Sequence, residues 1–447
     1  GDVSYGSSDV SQQRIAMGAP AESDSSVDAL RVALESGWDL AWGETGLHPY
    51  AMVSMTRIDR DGFRETGGGI AGLWLINRLN AAGYQCLLLE TDTLGGDQTL
   101  ASQGIIHGGL KYALGGNLSS ESESIAAMPD RWRAAMAGND PVDLRQLQVL
   151  SDTQHMWSSG SVASRMTNFF ASKMLRGRIE KLKRDHFPSA LADKAFKGNV
   201  YKLDDLVINT ESLIDTLAAP VRERLLAFDR ERDSLEWGEQ GLKAVTVNGQ
   251  RIEPALTILS AGNGNPALLD GAHQARLLPE EHSQLRPLKM LLVKHDLGHR
   301  LYAHCVGTSN KPVLTVTTHD CPDGKVVWYL GGDLAERGVE RSDEEQLAAG
   351  RDELKHLFPW LDFSQAQFAV LNVTRAEPKQ QALVKPDNAY AHRDHNLIVA
   401  WPTKLTLAPD LGDRVMALVL SSDGGWREDS LSAVSKGPPP SIDSDFA

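Results

Sequence analysis

With 447 residues, 41% apolar and 23% charged, the chain has material for more than one packed core, and no window approaches ~18 uninterrupted apolar residues, so no transmembrane span is expected. Its 59 acidic against 45 basic side chains give a formal charge of −14, which opposes general binding to nucleic acid or to anionic membrane. Cys86, Cys305 and Cys321 are too few and too unevenly placed for a disulfide framework, and the first residues do not read as an export signal, so a cytoplasmic protein is expected.

Residues 1–58 are rich in Ser, Gly, Asp and Ala without a sustained period and read as a poorly ordered extension with one short helix at 27–34. From Gly67 the pattern sharpens. A glycine turn leads into a helix at 70–82 and an apolar strand at 85–90, and serines and acids at 119–124 open a further helix through 128–136. The basic stretch 171–185 reads as a solvated helix face, with an anion-binding or peripheral membrane-docking surface as the alternative. Asn209 and Thr210 can cap the helix that starts SLIDTL, and Asn248-Gly249 between two apolar runs is a hairpin signal. Residues 288–335 contain three strand-like runs. Ser342 and Glu345 form a capping box ahead of a helix that Pro359 stops, and NLIVAW, a last strand, precedes a loop and a helix. The order is β-turn-α-β early, antiparallel sheet late, and β-loop-α at the end: one nucleotide domain built from separated segments, with a sheet domain inserted.

Gly67, Gly69 and Gly72 form G-x-G-x-x-G, in which the first glycine allows a tight turn, the second admits a pyrophosphate against the backbone, and the third permits close helix–strand packing. Glu90, at the end of the second predicted strand, is where a carboxylate can accept hydrogen bonds from ribose hydroxyls. A second run of small and hydroxyl-bearing residues, LGGDQTLASQGIIHGGLKYAL (94–114), has no evident purpose in a nicotinamide enzyme.

These residues carry a resemblance. GGGIAG, the following Glu90 and the segment 94–114 resemble the D-amino-acid-oxidase-like superfamily of FAD-dependent oxidoreductases, and SQGIIHGGLKYAL is most similar to the branch containing FAD-dependent glycerol-3-phosphate and L-2-hydroxyglutarate dehydrogenases. TILSAGNGN (257–265) and NLIVAWPTKLTLAPDLGDRV resemble the family's later flavin segments, so the likeness covers residues 66–420. It implies an α/β fold: a Rossmann-like FAD-binding domain from 59–150, 195–280 and 390–425, a helical insert at 151–194, an α+β substrate domain with a mostly antiparallel sheet at 281–389, and a disordered tail at 426–447. Two departures stand out. Residues 62–66, Gly-Phe-Arg-Glu-Thr, occupy the place of a central parallel strand, which is ordinarily apolar because both faces are buried. An unpaired buried charge there costs several kcal/mol, so either the strand is short, or the segment upstream of Gly67 is not the one the fold is built on. Trp401, Pro402 and Thr403 stand where the family usually carries glycines.

The resemblance implies FAD contacts from Gly67, Gly69, Ile70, Ala71, Gly72, Glu90, Thr91, Ala101, Ser102, Gln103, Gly104, Ile105, His107, Ala261, Gly262, Lys404, Leu405 and Thr406. The implied reaction is hydride transfer to flavin from a carbon bearing a hydroxyl, or in the alternative an amine. A flavin-binding protein without turnover is a third reading. His107 is the candidate proton acceptor, with hydrogen bonding or packing at the cofactor as its plainer role. Arg375, then Lys404, are candidates to hold an anionic substrate group, and Lys404 can instead face the flavin edge that gains charge. Tyr329, His304 and His319 lie on predicted strands of the insert. Tyr329 is kept as a catalytic candidate, although a structural role suits each of the three better. His304 and Cys305 point to opposite faces of one strand, so no metal site is expected. The partners expected are a small anionic substrate and an electron acceptor: oxygen, a quinone or a carrier.

Overall fold

The computed structural model describes the backbone of residues 4–16 and 19–31 and, with side chains, residues 67–96, 98–109, 125–158, 179–278, 282–307, 311–379 and 388–420. The chain divides into two units, Gly1–Phe63 and Arg64–Ala447. In the first, two antiparallel strands, Ser4–Ala16 and Ala19–Arg31, pair from Ala16↔Ala19 out to Ser4↔Arg31, where the sequence suggests an irregular extension with a helix. The polar segment 62–66 lies outside the described residues, as do 119–124, most of the basic stretch and the tail.

The second unit opens with the expected turn, helix and strand. Helix Ile70–Ala81 is apolar on most sides, burying Leu73, Trp74, Leu75, Ile76 and Leu79, because it is packed between helices Thr210–Ala218 and Ala408–Leu420. Trp74 meets Trp132 with ring centroids 5.2 Å apart. Strand Leu88–Glu90 then pairs in parallel with Leu225–Ala227, and Thr257–Leu259 pairs in parallel with Leu397–Trp401. These pairs join residues far apart in sequence, as a nucleotide domain built from separated segments requires.

The capping signals fold as local chemistry dictates. The Asn209 side chain accepts from Ser212 N, and Ser342 and Glu345 form the reciprocal box at the start of helix Asp343–Leu357. Asn248 and Gly249 take φ of 50° and 75°, the positive pair that matches strand twist in a two-residue hairpin, and join Gly241–Val247 to Gln250–Ile252.

A sheet of eight strands forms the other half, in the order Gln367–Pro378, Ser283–His295, Val326–Gly331, Pro312–Asp320, Ala303–Val306, Gln154–Ser158, Asn199–Leu203, Ile179–Lys181. Every neighbour is antiparallel except the contact between Ala303–Val306 and Gln154–Ser158. Alternation divides its side chains. Leu291, Val293, Leu330, Trp328 and Trp157 enter a core that includes Leu354 and Leu357 of helix Asp343–Leu357, while Met290, Tyr329 and Val373 on the opposite face pack with Ala101 of the nucleotide half.

Two expectations are corrected here. Within 151–194, expected to be helical, the described residues are strands and two short 3-10 turns, and the sheet therefore draws on 154–203 as well as 283–378. Of the basic stretch, Ile179–Lys181 is an edge strand and Arg184–His186 a 3-10 turn. A very short edge strand that ends in Lys181, with Lys183 just after it, resists pairing with another sheet, which gives these two charges a role outside a helix.

Candidate functional site

The three fingerprint glycines occupy three different environments. A Cβ at Gly72 would lie 1.8 Å from Gly67 O and 3.0 Å from Leu88 Cδ1, so the helix can approach the turn and the strand this closely only with hydrogen there. Gly67 is similarly enclosed, its Cβ position 2.5 Å from Leu89 O. Gly69, the residue that caps helix Ile70–Ala81, has φ −77° and ψ −174°, open to any residue, and a Cβ there would meet only Thr99 Oγ1 at 3.2 Å. The Thr99 hydroxyl accepts from Ile70 N at 3.0 Å, satisfying one of the helix's first amides. Sequence reading missed Thr99, whose only signal is its place in the hydroxyl-rich run after Glu90.

Glu90 ends its strand with no exposed surface, its carboxylate accepting from Gly68 N at 2.7 Å and Asp92 N at 2.9 Å. A carboxylate accepts about four hydrogen bonds, so these amides leave part of its acceptor capacity unused. Burial pushes its pKa up to about 7, against the backbone amides of Asp92, Gly68 and Thr91, with the Asp92 charge adding to the rise. A raised carboxyl pKa contributes stability that is fully present below about 4.5 and is lost as pH rises through about 7. Stability of the cofactor-free protein is thus expected to lose this contribution across that window, whereas donors from a ribose favour the ionised form, so FAD binding should release a proton and tighten roughly 3- to 10-fold between about pH 6 and pH 8. Glu90→Gln should flatten both profiles; a wild-type affinity independent of pH would contradict the assignment.

The turn opens into a cavity of about 250 Å³. Gly69, Ile70 and Ala71 form one part of its wall; Ala101, Ser102, Gln103, Gly104, Ile105 and His107 form a second; Ala261 and Gly262 a third; Lys404 and Leu405 a fourth. From the sheet come Leu288, Met290, Val373 and Arg375. Gly67, Gly72, Glu90, Thr91, Thr406 and Tyr329, all expected at the site, are not on this wall. Thr406, fully buried behind it, donates through Oγ1 to His107 O at 3.2 Å, and Trp132 Nε1 donates to Thr406 O at 2.9 Å.

Gly109 N donates to His107 Nδ1 at 3.2 Å, which in the neutral ring puts the proton on Nε2. In that form Nε2 is a donor, and the plainer of the two roles considered for His107 fits better than proton acceptance. Tyr329, 5% exposed, donates its hydroxyl to Ala101 O at 2.6 Å, and burial raises its pKa further. That phenol's proton is engaged by the backbone, and Tyr329 does not line the cavity. His304 Nδ1 meets Thr315 Oγ1 at 2.9 Å on one face of the sheet, while Cys305 joins the core on the other. Burial holds His319 neutral, with its pKa lowered to about 4. Among the described residues no group of three or more His, Cys, Asp and Glu could hold a metal ion.

Trp401, Pro402 and Thr403, the residues replacing the family's glycines, all line the cavity. Thr403 holds φ +60°, costly for a β-branched residue, and its hydroxyl donates to Asn388 O at 3.0 Å. Thr403→Val keeps the strain and deletes the anchor, and is expected to destabilise by about 1–3 kcal/mol, whereas Thr403→Gly removes both and should stay within about 1 kcal/mol of wild type. Chemical denaturation of the two variants checks this, and a glycine variant as damaged as the valine one would show that the turn is not strained.

A model of the FAD dependent oxidoreductase family, DAO, matches residues 66–398, and an autotransporter β-domain model matches residues 1–75. A probable FAD-dependent oxidoreductase of Pseudomonas aeruginosa is 49% identical over 359 residues, covering 80% of this chain and 90% of the relative. The crystal structure of the FAD dependent oxidoreductase of that name from the same organism superposes with TM-score 0.72 at 42% identity, over 85% of this chain and 95% of the other. Glycine oxidase from Geobacillus kaustophilus gives TM-score 0.58 at 14% identity, over 82% and 95%, and L-α-glycerophosphate oxidase from Mycoplasma pneumoniae, solved with FAD bound, gives 0.54 at 14%, over 79% and 93%. Likenesses this distant show the fold alone, and the expected glycerol-phosphate and hydroxyglutarate branch is not confirmed by them. Among the described residues no helix is long and apolar enough to cross a membrane. With a fold, a glycine turn and a cavity of the expected kind, and a family match that begins at residue 66 and spans most of the chain, the protein belongs to the DAO family of FAD dependent oxidoreductases.

Proposed function

We propose that the chain oxidises a small anion, a carboxylate or phosphate whose neighbouring carbon bears a hydroxyl, in the cavity between the glycine turn and the sheet. The observation that carries this reading is Arg375, a guanidinium on the same cavity wall as Gly69 and the segment 101–107. A planar fork of donors suits a carboxylate or phosphate better than a point charge does. When bound, FAD supplies the acceptor for two electrons, which pass on to oxygen, a quinone or a carrier.

The residues divide the remaining work. Gly69 admits the pyrophosphate, Glu90 takes the ribose hydroxyls, and Ala101, Ser102, Gln103, Gly104 and Ile105 offer backbone to the flavin. Arg375 would orient the substrate, Lys404 would offset the charge that the flavin gains on reduction, and His107 would donate a hydrogen bond to the cofactor. The sheet residues Leu288, Met290 and Val373 line the cavity with apolar surface and would exclude water from a bound substrate.

An amine or amino acid is the second reading, favoured by the likeness to glycine oxidase. Glycine and L-α-glycerophosphate share an anionic group and a C–H beside nitrogen or oxygen, which is the common chemistry proposed here. Anaerobic loss of flavin absorbance on adding 2-hydroxyglutarate, L-α-glycerophosphate or glycine separates the two readings. Bleaching by hydroxy compounds alone supports the first; bleaching by glycine alone replaces it with the second.

A further inference from the structure

The segment 98–103 is tied to the sheet above it by side chains reaching in both directions. Tyr329 Oη donates to Ala101 O at 2.6 Å, Gln103 Nε2 donates to the carbonyl of Tyr329 itself at 2.8 Å, and Ala376 N donates to Gln98 Oε1 at 3.0 Å. The first two bonds close a ring between two short stretches of chain, each stretch supplying a side-chain donor to the other's backbone. Gly331 completes the fit: a Cβ there would sit 2.7 Å from Gln103 Oε1, so the strand carries a notch that the amide occupies.

Burial makes these contacts consequential. Tyr329 packs against Met290 and Val373 with Ala101 beside them, and removing its hydroxyl deprives the Ala101 carbonyl of this donor. Tyr329 on Val326–Gly331 and Arg375 on Gln367–Pro378 are separated in the sheet by Ser283–His295 alone. A shift of the segment beneath Tyr329 is therefore a shift relative to Arg375.

We propose that Tyr329, Gln103 and Gly331 form a clasp that holds the backbone of residues 101–104 at a set spacing from the Arg375 strand, which makes Tyr329 a positioning residue for the reaction. This rests on the reading that 101–107 faces the flavin. The clasp explains why a tyrosine on the sheet's inner face takes no place on the cavity wall: it acts through the segment it fixes. Misplacement of reacting groups by about 1 Å lowers rates by up to about a hundredfold, so a partial loosening has a measurable effect.

The test uses the FAD-loaded full chain and amide hydrogen exchange of residues 98–107, with the visible flavin spectrum and its reduction by the three compounds named above. Tyr329→Phe and Gln103→Leu are each expected to keep FAD, shift the flavin band, raise exchange in the segment about fivefold and slow flavin reduction about tenfold with KM within about twofold. Because both side chains hold one segment, the double variant should be within about twofold of the worse single variant, where independent effects would multiply. Gly331→Ala, which displaces the Gln103 amide, should reproduce the Gln103→Leu behaviour. If Tyr329→Phe does not fold, Gln103→Leu and Gly331→Ala carry the same comparison. Variants that lose thermal stability while spectrum, exchange and reduction stay as in wild type would overturn the clasp. Wild-type exchange at 98–107 that does not slow when FAD is added would instead overturn the underlying site reading, so the two failures are distinguishable.

Discussion

Gly69→Val is expected to give a folded protein that no longer retains FAD, and Gly72→Ala a protein that does not fold stably, although the second is the smaller substitution. The difference lies in what each side chain would meet. At Gly72 a methyl would stand 1.8 Å from a backbone oxygen, and neither the turn nor the strand below it can give way without separating helix from sheet. Alanine in a helix gains about 1 kcal/mol over glycine in propensity, but overpacking against backbone costs about 3 kcal/mol or more, so the clash wins. At Gly69 the backbone is already extended and the only neighbour within reach is the Thr99 hydroxyl, so the fold should lose no more than about 1 kcal/mol. The new methyls instead stand on the cavity wall where a diphosphate would rest, and FAD affinity should fall by more than about a hundredfold. Thermal denaturation of the apo-proteins and flavin fluorescence after gel filtration read out both arms. A Gly69→Val protein that stays fully yellow would remove the glycine turn from the cofactor site.

Arg375→Met is expected to raise KM for an anionic substrate by about 10²–10³-fold while leaving FAD retention unchanged, since a bidentate charged hydrogen-bond pair is worth about 3–4 kcal/mol in a site shielded from water. Arg375→Lys should recover only part of this, because a single ammonium restores charge but not the fork. Arg375 stands opposite Arg286 across the strands, and Glu377, on the same face, takes hydrogen bonds from Arg286 at 2.9 Å and Gln284 at 3.1 Å. Steady-state kinetics of flavin reduction is the check, and a KM unmoved for every substrate that bleaches the flavin would assign Arg375 a structural role.

What was legible in the sequence is chemistry confined to a few neighbouring residues. The glycine spacing, the helix behind it, the capping box of Ser342 and Glu345, and the Asn248-Gly249 hairpin each carry their own geometric reason, because backbone sterics and local hydrogen bonds act over one or two turns of chain. The resemblance carried by the same glycines and the segment after Glu90 pointed to the family that the comparisons bear out, and with it to FAD.

Other features were decided only when distant segments met. Tyr329, with the phenol of a catalytic candidate, is committed to Ala101 O from 228 residues away, and Thr99 takes an amide of the glycine helix from the far side of the Glu90 strand. Strands 154–158, 179–181 and 199–203 joined a sheet whose other members begin at 283, because ladder pairing depends on backbone edges that any sequence offers rather than on a local motif. By itself, then, the sequence determined which cofactor chemistry this protein carries and where its backbone turns. Which side chains reach the cavity, and which are spent holding its walls, followed from long-range packing, where the identity of a contact depends on register and burial that no short window of sequence contains.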